Sequence, residues 1–244
     1  RGLIDQGVIV RGEDGSRGSI TIDVKSIDAS TLPVPASIRD AIKDRLSPLS
    51  ELARSLVGVL AVARQEMDMD LLCMATIMDS DRVLLGMEEL INSGLVRERH
   101  LGETERFELA QNRLKDVVLE DIGIDQRRLY HRRIGEALER KHRRRVSYVV
   151  ESLAYHFEQG GVAPKAYPYL VLAADKLMQR TFVGEALEYL DRAFQIEGDA
   201  REYMTLDDAD RRLAGLHLKR ARALYHLGRW SDSTTELVHA NALA

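Results

Sequence analysis

A chain of 244 residues, 45% hydrophobic and 30% charged, has the balance of an ordinary globular protein of about two domains, neither disordered nor membrane-embedded. Its net charge of −4 gives no general attraction to nucleic acid, and its longest apolar run, Leu56 to Ala63, is far short of the roughly 20 residues a bilayer span needs. The single cysteine, Cys73, excludes an internal disulfide and fits a reducing, cytoplasmic setting; Asp5 and Gln6 stand where a signal peptide would be hydrophobic.

The chain opens on Arg1 and reads as a segment of a longer protein. Residues 1–32 carry two strand-like stretches, Gly7 to Arg11 and Ser19 to Val24, around the turn GEDGSRG. A hairpin is expected there. A phosphate loop is not, because no lysine followed by Ser or Thr closes the glycine spacing and no helix begins directly after it. LIDQGVIVR from Leu3 is echoed by LINSGLVR from Leu90, and Gly7 and Gly94 both stand where a helix end needs the left-handed conformation.

Residues 33–122 predict a winged-helix domain. Pro33 and Pro35 extend the chain, Ser37 is placed to cap a helix through Leu46, and a second helix over Ser50 to Arg64 is apolar around much of its circumference. Two helices follow, Asp70 to Met78 and Asp79 to Leu95, then the strands Leu95 to Arg99 and Arg106 to Leu109, then a helix from Asn112. Residues 123–165 read as a helical linker opening an arm. It has a helix over Asp125 to Arg140 with Leu129, Ile134 and Leu138 inward, and another over Tyr148 to Gln159.

Residues 166–244 show helix pairs at the spacing of tetratricopeptide repeats, which continue an α-solenoid. Ala174, Ala186 and Ala193 allow close approach, with Leu170, Leu177 and Leu190 between them; Ala221, Ser233, Leu237 and Ala240 stand at equivalent places 47 residues on, with His217 and Arg220 where apolar residues are usual. The offset exceeds the usual repeat of about 34 residues. The extra residues, GDAREYMTLDDADR, predict longer helices or an ordered loop. The fold class is therefore mainly α, a winged-helix domain with small β-hairpins followed by an α-solenoid of tetratricopeptide-like pairs.

The second winged-unit helix carries Asp79, Asp81, Glu88 and Glu89 against Arg82 alone, the wrong sign for neutralising phosphates. DNA binding through Arg82, Arg97 and Arg99 is one alternative reading, and a plain repeat scaffold, with the winged unit serving only as packing, is another. The basic run ending in Lys141, His142, Arg143, Arg144 and Arg145 is either a solvated helix face or a docking patch. The histidines form no HExxH and there is no cysteine cluster, so no metal site is expected. Cys73 has no cationic neighbour and reads as packing. With no nucleophile elbow, kinase loop or Walker lysine, the span is expected to be catalytically inert and to hold no cofactor.

LPVPASIRDAIKDRLSPLSELARSLVGVL from Leu32, matching a pattern LPxPxSIRxxIxxRLxxLSxxAxxLL, together with LYHRRIGEALE from Leu129 and LAYHFEQGG from Leu153, resembles the region following the nucleotide-binding core of bacterial STAND-type signalling ATPases. The resemblance implies a lid remnant over residues 1–32, a winged helix that latches onto an upstream core binding ATP or ADP, and a repeat arm. It also implies an output domain, a protein or small-molecule inducer, and a homo-oligomer in the active state. Many relatives place a phosphate-sensing histidine after the second wing strand; Gln111 stands there, and an amide hydrogen-bonds without carrying charge. Repeat position places Val171, Asp175, Met178, Gln179, Arg222, Tyr225 and His226 toward the groove where an inducer or partner is expected.

Overall fold

A computed structural model describes residues 36–101, 104–202 and 206–243; the hairpin expected within residues 1–32, with Gly7, lies outside them. The described part is mainly helical, with twelve α-helices and one three-stranded antiparallel sheet. None of these helices is long and apolar enough to cross a membrane.

Ser37, expected as a cap, lies within helix α1 (Ala36–Leu46). The cap of α2 (Glu51–Val62) is Ser50, whose side chain accepts from the Ala53 amide. The Ser50 hydroxyl also donates to Glu89 at 2.5 Å, and its amide donates to the other carboxylate oxygen at 2.8 Å. Every residue of α2 from Leu56 to Val62 is buried. With no polar face in that stretch, α2 becomes the post around which its neighbours pack.

Helices α3 (Met69–Thr76) and α4 (Ser80–Asn92), strands β2 (Val96–Leu101) and β3 (Thr104–Leu109), and α5 (Asn112–Asp121) follow in the expected order. A short strand β1 (Met67–Asp68), not anticipated from sequence, pairs with the free edge of β3, giving the order β1-β3-β2. Val96 faces Leu109 and Glu98 faces Phe107 across the hairpin. Gly94 takes φ +64° as its place at the helix end requires, with the Leu95 amide returning to the Leu90 carbonyl at 3.0 Å. Gly86 lets α4 press onto α2: a Cβ there would lie 2.5 Å from Leu56 and 3.4 Å from the α2 backbone.

Helix α6 (Ile124–Lys141) turns Tyr130, His131, Ile134, Ala137 and Leu138 inward. Leu129, expected inward, is 37% exposed. The buried stripe runs through positions 130, 134, 137 and 138, a rotation that carries the adjacent leucine to solvent. A short 3₁₀ turn, Val146–Tyr148, precedes α7 (Val150–Gln159). Helix α8 (Ala163–Gln179) starts ahead of Tyr167 because Pro164 is well suited to a first helical turn. After α9 (Val183–Gln195), the extra residues form α10 (Glu197–Arg201) and the first turns of α11 (Leu206–His226); α12 (Trp230–Ala242) completes the described chain.

Two buried clusters hold the molecule. One runs from Ile42 through α2–α6 to Leu153 and Phe157; the other joins Ala154 and Tyr167 to Leu190, Leu216 and Leu224. Adjacent residues of α7, Leu153 and Ala154, thus belong to different clusters, and α7 serves both.

Candidate functional site

Gln111 is the residue before α5 and makes no side-chain cap bond, while its carbonyl accepts from the Leu114 amide at 3.1 Å. It is exposed and lines an open cleft of about 240 Å³ with Arg64, Glu66, Glu108, Asn112 and Lys115. Arg64 follows α2 and Lys115 lies one turn into α5, so the cleft forms only when those elements meet. Its two carboxylates are already engaged from the strand side: Arg99 lies 2.7 Å from Glu108 and 3.6 Å from Glu66. Arg64 instead stacks its guanidinium 4.5 Å from the centre of the Tyr155 ring, and Lys115 has no ion pair among the described residues. A helix start beside two such cations, with its nearby carboxylates offset, has the electrostatics to take an anion.

Beneath this cleft, at the α6–α7 junction, His131 and His156 are buried with their Nδ1 atoms 3.0 Å apart. Burial pushes His131 down to about 4, helped by Arg127 and Lys115. Burial also pushes His156 down to about 3, with His131, Arg64 and Lys115 adding to it. Both rings are therefore neutral near pH 7, and one Nδ1–H donates to the other Nδ1. His156 Nε2 has no partner. A bare buried N–H is costlier to leave than a bare acceptor, so His156 is the Nδ1–H donor and leaves a lone pair at Nε2. Neither histidine drew attention in the sequence, because only the crossing of two helices unites them.

The basic run divides on folding. Lys141 is committed inward, 2.5 and 2.6 Å from the carboxylate of Asp68, which also caps α3 by accepting from the Leu71 amide. His142 is half-buried, and burial with Lys141 lowers its pKa. Arg143, Arg144 and Arg145 remain exposed. Two arginines earlier in the basic run are ties: Arg127 donates to the Leu119 carbonyl and Arg132 to the Gly160 carbonyl.

The groove residues divide as well. Val171 and Asp175 line a cleft of about 380 Å³ between α8 and α11, where Asp175 accepts from Lys219 at 2.6 Å. Met178 is half-buried and Gln179 exposed near the end of α8, while Arg222, Tyr225 and His226 are exposed toward the end of α11. There the Tyr225 ring stacks on Trp230, centroids 6.1 Å apart. Of these seven, Val171 and Asp175 line one cleft together.

On α4, Arg82 stands among exposed Leu84 and Leu85, 46% and 62% accessible, beside Asp79 and Asp81. Arg99 is engaged with Glu66 and Glu108, leaving Arg97 as the exposed basic residue of that trio without a described ion pair on its strand. Such a face suits a protein surface better than a phosphate backbone. Burial, then Asp70 and Asp79, push the Cys73 thiol up, which disfavours a reactive thiolate.

No protein-family model matches the chain, and no curated protein is significantly similar to it.

Proposed function

We propose that this chain is a non-catalytic regulatory region of a multidomain signal-transducing NTPase. In this reading, the helix–helix–hairpin unit is a winged helix serving as an internal latch, and α8–α12 form a tetratricopeptide-like arm that receives an inducer or protein partner. The observation that carries it is the buried cluster running unbroken from α2 to Phe157, which couples the unit to the start of the arm. The exposed apolar residues of α4 supply a face for an upstream core. The cleft at Gln111 supplies cations for nucleotide phosphates, with Arg64 and Lys115 taking the place of a charged sensor.

The test is amide hydrogen exchange on the parent protein with and without ADP. Protection is expected in peptides covering residues 60–66 and 108–115, and Arg64→Glu with Lys115→Glu should abolish it. ADP-independent exchange in both peptides would sink the latch. The same reading expects no ATP turnover by residues 1–244 alone.

A further inference from the structure

We propose that His217, Glu236 and His239 form a binding site for one divalent transition-metal ion of the zinc class. One ring nitrogen from each histidine and one carboxylate oxygen all lie within 4.8 Å of one another. Ligand atoms around a tetrahedral zinc stand at about 2.0–2.1 Å from the metal and so about 3.3 Å from one another; closing on an ion draws His239 in and parts His217 Nδ1 from Glu236 Oε2, which lie 2.6 Å apart without it. Glu236 and His239 occupy i and i+3 of α12, the Glu-x-x-His spacing that turns both side chains to one side of a helix. His217 completes the set from α11.

The surroundings are those of a prepared ligand set. Glu236 is buried, and its carboxylate is oriented from behind: Arg220 Nη1 donates to Oε1 at 2.5 Å, while Oε2 lies 2.6 Å from His217 Nδ1. Arg220 is in turn balanced by Asp191, 2.8 Å from its Nε. A hydrogen bond to the far oxygen of a ligating carboxylate fixes which oxygen faces the metal. Phe194 packs against the His217 ring, centroids 4.8 Å apart, which restrains its tilt. His239 faces the same ring at 5.3 Å and has no hydrogen-bond partner among the described residues. Binding through His217 Nδ1 requires the ring's remaining proton to sit on Nε2. Two imidazoles tip the set toward zinc over magnesium or calcium, which a carboxylate alone would suit, and three protein ligands leave the fourth position to water. The ion ties α11 to α12.

The experiment titrates metal-depleted residues 1–244 with zinc(II) against a chromophoric chelator, with cobalt(II) absorption reporting geometry. The expected result is one equivalent per chain, a tetrahedral cobalt spectrum and a higher melting temperature with metal. His239 is on the rim, so His239→Ala should weaken binding by roughly tenfold or more while leaving the metal-free melting temperature unchanged. His217→Gln, which keeps a polar group beside Glu236, should do the same to binding. The exposed trio Glu98, His100 and Glu105 is the control, and Glu98→Ala with His100→Ala should bind as the parent does. The proposal is overturned by absence of stoichiometric binding, by unchanged affinity in His239→Ala, or by loss of binding in the control alone.

Discussion

The proximal helices α7–α9 and the distal pair α11–α12 share the same small-residue seams and fill the space beside them in opposite ways. Ala174 and Ala221, Ala193 and Ala240, and Ala186 and Ser233 are all buried at equivalent places; the Ser233 hydroxyl is satisfied by the Ala221 carbonyl at 2.8 Å. Beside those seams the proximal helices bury Leu170, Ala173 and Leu190. The distal pair instead has His217 and Arg220, joined to Glu236 and Asp191, with Leu237 48% exposed. Small residues set how closely helices approach; the fillers decide whether dispersion or charge holds them. Histidine follows the same division. His156 on α7 is buried as a neutral ring, while His217 on α11 meets a carboxylate.

The largest contrast is expected at Leu190 and Leu237. Truncating the fully buried Leu190 to alanine should cost about 2–5 kcal/mol in chemical denaturation, and the same change at half-exposed Leu237 about 0.5 kcal/mol or less. Equal losses would erase the distinction between the pairs.

Next in size is the response to acid. The folded pKa values of His131 and His156, about 4 and about 3, lie below the unfolded value of about 6.5. Between these limits the unfolded chain binds more protons, so stability is present above pH 6.5 and is lost as pH falls. The slope is at most about 1.4 kcal/mol per pH unit for each histidine. Denaturation midpoints between pH 7 and 5 should show this fall, and His156→Leu should flatten it; an equally steep fall in that variant counts against the buried pair as its source.

The smallest effect separates the two inter-helix turns. Thr181 and Gly228 occupy equivalent places with φ of +64° and +74°, a conformation costing a side-chain-bearing residue roughly 1–2 kcal/mol. Thr181→Gly is therefore expected to stabilise by up to about 1 kcal/mol, after the added unfolded-state entropy is counted. Gly228→Ala should destabilise by about the same amount. Thermal melts of the two variants moving in the same direction would contradict the equivalence.

Much of this was legible in the sequence because local rules carried it. The periodicity of α2, the stop at Gly94 and the alternation in β2 and β3 are each written in a few adjacent residues. The inward face of α6 was misread because Leu129 is apolar and His131 is not, yet packing against Gly58, where a Cβ would lie 2.8 Å from the Tyr130 ring, selects the Tyr130 side. The position of Gln111 was legible, but its cleft was not, because Arg64 arrives from the turn after α2 and Lys115 from α5. Likewise, Glu236 and His239 are close in sequence, and nothing local announces that His217 closes on them.

The long helix α6 is fastened at both ends. Arg127 in its first turns holds the Leu119 carbonyl, and Lys141 at its last residue holds Asp68, which is at once the end of β1 and the cap of α3. At about 1.5 Å per residue, its 18 residues make a strut of about 27 Å that cannot pivot at one end without loosening the other. Loosening the far end of α6 therefore bears on the sheet and α3 together, because Asp68 joins the helix to both.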